Sequence, residues 1–158
     1  MKILLADDHA MFRSGLRHIL EEAFPEAEIQ ESCSCEETLR KLRNGEWSLL
    51  LLDISMSDKN SLNILPEIKS LHPKTPVLIL SMYNDRQFVV QALRSGAAGY
   101  LTKEKAPDEL IRAIRSVMAG RRYISETMAE QIAEYLAAGD EAQLPHETLS
   151  PREYEVFL

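Results

Sequence analysis

Five short apolar runs, each followed by a longer segment with helical periodicity, constrain the fold of this chain more than any other feature. The runs read KILLA (2–6), AEIQESC (27–33), SLLLLD (48–53), TPVLILS (75–81) and GYLT (99–102). Strands that alternate with helices form a parallel sheet. The leucine run at 49–52 is typical of a strand buried on both faces. The pattern therefore predicts an α/β fold built from five strand-helix units.

Local signals predict where the helices begin and end. Apolar residues at helical spacing predict one buried face over residues 12–23, and the S-x-x-E pattern at 34–37 is a capping signature for the second helix. The third helix is expected to end before Pro73 and the fourth at Gly96. Pro107 is typical of a first helical turn, so the fifth helix is expected to begin there.

After Gly120 the chain no longer alternates between strands and helices. No further strand is evident there, and residues 124–139 have the periodicity of one more amphipathic helix. Residues 139–148 (GDEAQLPHET) are polar and interrupted by proline, which is typical of a linker. Ser150 as N-cap and Glu153 three residues later predict that another helix begins in LSPREYEVFL (149–158).

Composition excludes several classes of function. At 158 residues the chain is long enough for one buried core and a short appendage. The formal net charge of -7 disfavours nucleic-acid binding by this chain itself, since that role needs a basic face. Cys33 and Cys35 lie too close together in sequence for a disulfide between them to cross-link the fold, which favours a reducing cytosol. We interpret them as small residues between a strand and a helix rather than as a metal or redox pair. No apolar run approaches the ~20 residues of a membrane span.

Polar side chains stand at the carboxyl ends of most of the predicted strands. The first strand ends in Asp7 and Asp8, the third in Asp53, the fourth in Ser81 and the fifth in Lys103. Ligands of an open parallel sheet bind outside these strand ends. Each residue alone has a structural explanation, such as helix capping by Asp8. Carboxylates that converge repel one another unless a cation lies among them, so the joint occurrence predicts a metal site.

The residue types at these positions favour Mg²⁺ and a phosphoryl group. Oxygen ligands without cysteine or histidine around them suit Mg²⁺, which accepts one or two carboxylates together with substrate phosphate. Ser81 and Lys103 are suitable donors to phosphoryl oxygens. The Asp53 carboxylate can act as a nucleophile and form an aspartyl phosphate. His9, which follows the acidic pair, is expected at a helix start with its side chain in solvent.

These motifs, in this order, resemble the receiver domain of two-component response regulators over residues 2–119. The matching stretches are LLADDH, LLLLDISM, LILSM and GYLTK. The resemblance implies that Asp53 is the phosphoacceptor and that Asp8 is the principal Mg²⁺ ligand. It implies further metal ligands in Asp7, directly or through water, and in the backbone carbonyl of Ser55.

The same resemblance assigns the residues that hold the phosphoryl group and respond to it. Ser81 and Lys103 match the hydroxyl and the lysine that bind phosphoryl oxygens. Tyr100, three positions before the lysine, matches the aromatic that turns inward when the hydroxyl moves. The implied protein is a signalling switch, and it is not an enzyme.

The stretch AGYLTKEKAPDELIRAIRSVMAGRRYIS resembles the NarL/FixJ subgroup, which carries a LuxR-type helix-turn-helix output. The implied layout is a receiver domain of flavodoxin-like fold at 1–120, an additional helix and interdomain linker at 121–148, and the first residues of a truncated LuxR-type domain at 149–158. The fold of the receiver would be a doubly wound five-stranded parallel sheet. The implied protein is cytoplasmic, is phosphorylated by a sensor histidine kinase, dimerises on phosphorylation and binds DNA only through the output domain.

Two positions depart from the family pattern and leave alternatives open. Receiver domains of this kind usually have proline and glycine where this chain has Ser57 and Ser61. Serine has neither the fixed φ of proline nor the free φ of glycine, so a looser or rerouted loop is expected. The departure weakly favours a pseudo-receiver, which would act as an interaction module without phosphorylation. A phosphatase of the haloacid-dehalogenase type ranks last, because Ser55 stands where that family has a second aspartate.

Overall fold

The computed structural model describes residues 1–83 and 85–142, which form a five-stranded parallel sheet in the order β2-β1-β3-β4-β5. The strands are β1 (Lys2–Ala6), β2 (Glu28–Ser32), β3 (Leu49–Asp53), β4 (Val77–Ser81) and β5 (Gly99–Thr102). The helices are α1 (Ala10–Ala23), α2 (Cys35–Arg43), α3 (Leu65–Leu71), α4 (Arg86–Arg94), α5 (Ala106–Met118) and α6 (Glu126–Ala142). The prediction of a doubly wound, flavodoxin-like sheet is confirmed.

The leucine run of β3 lies at the centre of the molecule and is buried on both faces. Leu49 and Leu51 belong to the apolar layer that α1 and α5 complete, whereas Leu50 and Leu52 belong to the layer of α2, α3 and α4. All four side chains are fully buried. Full burial of one leucine side chain contributes roughly 1.5–3 kcal/mol to stability. This double-sided packing fixes the position of Asp53 at the end of the strand.

The helix boundaries follow the local signals in the sequence. Ser34 caps α2, and its Oγ accepts a hydrogen bond from the Glu37 amide at 3.0 Å. The Glu37 carboxylate accepts from the Cys33 amide at 2.7 Å, one residue before the N-cap. Gly96 follows α4 with a φ of 107°, a conformation that favours glycine. Pro107 lies in the first turn of α5, where its missing N–H costs nothing.

The segment after α5 returns to the sheet and covers its edge. The Tyr100 amide donates to the Tyr123 carbonyl, and the Tyr123 amide donates to the Ala98 carbonyl, both at 3.0 Å. A Cβ atom on Gly99 would lie 2.8 Å from the Tyr123 carbonyl oxygen, so only glycine permits this approach. The sequence predicted no strand after Gly120, and the structure adds a single bridge that covers part of an exposed strand edge.

The final described helix, α6, is longer than the periodicity predicted. It continues past Gly139 to Ala142, into the segment predicted as linker. A glycine inside a helix costs only about 1 kcal/mol relative to alanine, and the alanines around it favour the helix. The predicted helix start at Ser150 and Glu153 lies outside the described residues.

One side of α6 packs against α4. Met128 is buried in the apolar layer beside the sheet and Ile132 packs against the same layer, as their common helical face predicts. The Arg86 guanidinium lies 5.1 Å from the centre of the Tyr135 ring. Leu136, one turn further along the helix, is 41% exposed. In the described part of the chain, no helix combines the length and the apolarity that a membrane crossing requires.

Candidate functional site

The candidate site lies at the carboxyl edge of the sheet, between β1 and β3. Successive connections leave these neighbouring strands in opposite directions, which opens a crevice where ligands of such sheets bind. Asp7 directly follows β1, and Asp53 is the last residue of β3. Lys103 directly follows β5 and reaches the same crevice. All three side chains are buried, so the structure brings these predicted site residues together.

The distances define a tight cluster of opposite charges. The Lys103 ammonium lies 2.9 Å from Asp7 Oδ2 and 3.1 Å from Asp53 Oδ2. Asp8 joins the cluster, because one carboxylate oxygen of each of the three aspartates lies within 4.8 Å of the others. Among the described residues, Asp7 Oδ2 and Asp8 Oδ1 are buried oxygens that lack a hydrogen bond of normal geometry. Three converging carboxylates, two of them with an oxygen in this state, fit a small divalent cation such as Mg²⁺.

The cluster changes the acidity of Asp53. Burial, and then the negative charge of Asp7, raise the pKa of Asp53 to about 6, while Lys103 acts in the opposite direction. A further positive charge beside Asp53 would lower this pKa and keep the carboxylate ionised, as a nucleophile requires. Carboxylates perturbed in this way are common at functional sites.

The side chain of His9 is largely exposed, as predicted, but its Nδ1 atom also belongs to the cluster, which the sequence did not predict. Its Nδ1 atom lies 3.2 Å from Asp8 Oδ1 and 3.3 Å from Asp7 Oδ1. The same nitrogen lies 3.2 Å from the Lys103 ammonium. The extended backbone of His9, with a φ of -92° and a ψ of 101°, lets the ring fold back over the strand ends. The available sequence signal is its position directly after two strand-end aspartates.

The loop after β3 is closed, which overturns the expectation that Ser57 and Ser61 loosen it. The Ser61 hydroxyl is buried and donates to the Asp53 carbonyl at 2.5 Å. Ser55 and Asn60 form an antiparallel bridge across the loop. Among the described residues, positive φ occurs only at two glycines, so position 61 does not need glycine. Its serine instead contributes a hydrogen bond to the end of the central strand.

Two further residues of this loop are fixed by main-chain contacts. The Ser55 amide donates to Asp53 Oδ1 at 3.2 Å, while metal binding by the Ser55 carbonyl stays a prediction. The Asp58 carboxylate accepts from the amides of Cys35 and Glu36 at 3.0 and 3.2 Å, at the start of α2. These amide contacts favour the ionised form and lower the pKa of Asp58. Asp58 therefore caps a helix.

Replacing Ser61 with alanine is expected to lower the free energy of unfolding by about 1–2 kcal/mol, because the buried Asp53 carbonyl loses its donor. Urea denaturation of both proteins would measure the difference. Ser57→Ala is the matched control, since Ser57 is exposed on the same loop and its replacement is expected to change stability by less than about 0.5 kcal/mol. Equal losses in the two variants would contradict the assigned role of the Ser61 hydroxyl.

Ser81 and Tyr100 both hold the main chain of Tyr83. The Ser81 hydroxyl accepts from the Tyr83 amide at 2.9 Å, and the Tyr100 hydroxyl donates to the Tyr83 carbonyl at 2.7 Å. The Tyr100 side chain lies inward, and burial raises the pKa of its hydroxyl. The exposed ring of Tyr83 stacks on Phe88 of α4, with 5.7 Å between ring centres. Tyr83 therefore links both Ser81 and Tyr100 to the surface of α4.

The two cysteines are free thiols with different surroundings. Cys33 is exposed, whereas Cys35 is buried, and its burial raises the pKa of the thiol to about 11. Because the thiolate is the reactive form, native Cys33 is expected to react with iodoacetamide at pH 8 roughly 100-fold faster than Cys35. Peptide mass spectrometry after timed alkylation measures both rates. Similar rates in the native chain would contradict the burial of Cys35, whereas similar rates in urea are expected.

The order of the sheet and the acidic crevice between β1 and β3 define a signalling domain of the receiver type. The chain belongs to the response regulator receiver domain family, whose model matches residues 3–115. It is thus a two-component response regulator, as the motifs predicted.

Relatives of known identity extend this assignment to the subgroup. Response regulator UvrY of Escherichia coli (strain K12) is 31% identical over 158 residues, which cover 100% of this chain and 72% of UvrY. A LuxR-family two-component response regulator from Aurantimonas sp. SI85-9A1 has a TM-score of 0.79 at 30% identity, over 86% of this chain and 97% of that one. RcsB from Salmonella enterica serovar Typhimurium, bound to promoter P1flhDC with the phosphomimetic BeF3-, has a TM-score of 0.78 at 25% identity, over 99% and 74%. The predicted NarL/FixJ subgroup is confirmed.

Proposed function

We propose that Asp53 accepts a phosphoryl group from a sensor histidine kinase and that the phosphorylated chain changes its contacts at the surface of α4. One observation carries this proposal: the buried carboxylates of Asp7 and Asp53 converge on the Lys103 ammonium, with contacts of 2.9 and 3.1 Å. The cost of burying two like charges side by side is hard to explain by stability alone. A site that receives a metal and a phosphoryl group explains it.

In the proposed reaction, an Asp53 carboxylate oxygen forms a bond to phosphorus while the bond between phosphorus and the histidine nitrogen of the kinase breaks. Asp7, Asp8 and Asp53, together with the Ser55 carbonyl, would hold Mg²⁺. When bound, the metal would neutralise charge on the phosphoryl oxygens. The protein's own contribution is to hold the attacking oxygen rigidly at the end of a strand buried on both faces.

The new phosphoryl oxygens would attract the two donors that surround the site. Lys103 would exchange part of its contact with Asp7 and Asp53 for a phosphoryl oxygen, and Ser81 would donate its hydroxyl to another. Ser81 would then release the Tyr83 amide that it now accepts from. Because the Tyr100 hydroxyl holds the carbonyl of the same residue, the two contacts would shift together. The phosphoryl group shifts this equilibrium only by its different interaction with the two states.

The output that we propose is control of transcription by a dimer. The RcsB relative was solved on promoter DNA, which supports a DNA-binding output for a protein of this subgroup. We assign 1–120 to the receiver, 121–148 to the additional helix and linker, and 149–158 to the start of a LuxR-type domain. A receiver in this role acts as a switch and turns over no substrate of its own. A histidine kinase partner and a DNA target both require the cytoplasm, where we expect the protein to work.

The test is the intact mass of the chain after incubation with acetyl phosphate, with Mg²⁺ or with EDTA. A single added phosphoryl group is expected for the native chain with Mg²⁺, and none is expected for Asp53→Asn or with EDTA. Asp58→Asn is the matched control, because Asp58 lies on the same loop and caps α2, so that variant should still be phosphorylated.

Two outcomes would overturn the proposal. An adduct that persists in Asp53→Asn would place the phosphoryl group on another residue. The absence of both an adduct and beryllofluoride binding in the native chain with Mg²⁺ would favour the alternative of a pseudo-receiver, which acts as an interaction module without phosphorylation.

A further inference from the structure

The donor set at the candidate metal site contains a nitrogen atom as well as oxygens. His9 Nδ1 and one oxygen from each of Asp7, Asp8 and Asp53 all lie within 4.8 Å of one another. The nitrogen lies 3.2 Å from Asp8 Oδ1, 3.3 Å from Asp7 Oδ1 and 3.7 Å from Asp53 Oδ2. The sequence favoured Mg²⁺ because no histidine was expected among the ligands. The structure removes that premise.

The orientation of the ring suits a ligand better than a surface side chain. The side chain of His9 is 60% exposed, yet its Nδ1 atom faces inward to the carboxylates. The His9 amide also donates to Asp7 Oδ1 at 2.7 Å, which fixes the residue relative to the acidic pair. A surface histidine on the same helix, His18, instead pairs with Glu22 one turn away and is 73% exposed. The two histidines therefore have different environments.

A cation is already held by part of this donor set. The Lys103 ammonium lies 2.9 Å from Asp7 Oδ2, 3.1 Å from Asp53 Oδ2 and 3.2 Å from His9 Nδ1. Nδ1 thus borders the same space as the two carboxylates that pair with positive charge. Asp8 Oδ1, which borders the same nitrogen and is not paired with Lys103, is a buried oxygen without a hydrogen bond of normal geometry, which is a second sign that this space suits a charged ligand.

We propose that His9 is a direct nitrogen ligand of the metal, and that the site consequently prefers later first-row divalent ions such as Co²⁺ and Ni²⁺ over Mg²⁺. This inference rests on the proposed function, because it concerns the metal required for phosphorylation of Asp53. Carboxylates alone suit Mg²⁺ and Mn²⁺ alike, whereas an imidazole ligand favours later ions of the first row such as Co²⁺ and Ni²⁺, and Mn²⁺ serves below as the spectroscopic probe. Mg²⁺ would still support the reaction through the carboxylates.

The consequence is a phosphorylation switch whose sensitivity depends on the available transition metal. With His9 as a ligand, low concentrations of Co²⁺ or Ni²⁺ would fill the site and support phosphorylation under conditions where Mg²⁺ does not saturate it. Without His9, the site would retain three carboxylates and bind the two classes of ion more equally.

The direct test is pulsed electron paramagnetic resonance of Mn²⁺ bound to the whole chain. A nitrogen ligand modulates the electron spin echo, and ¹⁵N-labelled histidine changes the modulation in a predictable way. The modulation is expected in the native chain and in His18→Ala, and it is expected to disappear in His9→Ala. Because both histidine side chains are largely exposed, both variants should fold, and circular dichroism would verify this.

Calorimetric titrations provide a second readout. His9→Ala is expected to lose about tenfold or more in affinity for Co²⁺ and Ni²⁺, with less than about a threefold change for Mg²⁺. His18→Ala is expected to match the native chain for all three ions.

The outcomes separate this inference from the function on which it rests. Mn²⁺ that binds in an Asp53-dependent manner without nitrogen modulation would overturn the role of His9 and leave the phosphorylation site intact. Failure of both Mg²⁺ and Mn²⁺ to bind would overturn the metal site itself, and with it the proposed function. Loss of modulation in His9→Ala alone, together with the selective loss of affinity for Co²⁺ and Ni²⁺, would establish the ligand.

Discussion

Replacing Lys103 with methionine is expected to lower the free energy of unfolding of the metal-free protein by roughly 3–5 kcal/mol at pH 8. The buried carboxylates of Asp7 and Asp53 would lose the ammonium that lies 2.9 and 3.1 Å from them. Buried carboxylates without a positive partner take up protons, so the difference in the free energy of unfolding should be smaller at pH 5. Urea denaturation in EDTA at the two pH values would measure both effects.

The matched control is Lys105→Met, because Lys105 is an exposed lysine two residues further along the same loop. Its replacement should change stability by less than about 0.5 kcal/mol. A double variant, Lys103→Met with Asp53→Asn, should recover much of the loss, since one of the two buried charges is then removed. If Lys103→Met cost no more than Lys105→Met, the assigned electrostatic role of Lys103 would be wrong.

Replacing Asp53 with asparagine is expected to stabilise the metal-free protein at pH 8, by up to about 3 kcal/mol. The pKa of Asp53 is about 6 in the folded chain, against an ordinary value of 3.8. The folded state therefore binds the proton more tightly than the unfolded state. The stabilisation that the protein gains from this tighter proton binding is present below about pH 4 and is lost as pH rises through 6. Asparagine carries no charge and avoids this loss.

The measurement is the stability of native and Asp53→Asn chains in EDTA between pH 4 and pH 8. The two curves should meet near pH 4 and diverge as pH rises. Asp58→Asn should show the opposite sign, because its helix-capping contacts lower the pKa of Asp58, and the ionised form is the stabilising one. A native chain that stays as stable as Asp53→Asn across this range would contradict the raised pKa.

Much of the fold could be predicted because the signals are local. A five-residue apolar strand and an S-x-x-E cap depend on neighbours in sequence, and β3 and the start of α2 follow these patterns. The proximity of Asp7, Asp53 and Lys103 was also predictable, since the carboxyl ends of parallel strands meet at one edge of the sheet. The common edge follows from the parallel sheet alone, whereas the close approach of Asp7 to Asp53 also depends on β1 and β3 being neighbours.

The parts that the sequence did not predict depend on side-chain direction or on distant partners. His9 faces the acidic cluster because of its own backbone angles, which a single residue letter does not encode. The fit of Ser61 depends on a carbonyl acceptor eight residues earlier, so the missing glycine suggested a loss although the structure gained a hydrogen bond. The extension of α6 past Gly139 shows that one glycine is a weak stop signal without a proline or a capping contact.

Tyr83 is held by Ser81 and Tyr100 through its main chain and not through its side chain. Ser81 accepts a hydrogen bond from its amide, and Tyr100 donates one to its carbonyl. Every residue type except proline has both main-chain groups. The side chain of Tyr83 is exposed and can be replaced by another without changing either hydrogen bond. A substitution at this one position would therefore change the chemistry of the surface beside α4 and leave both main-chain contacts in place.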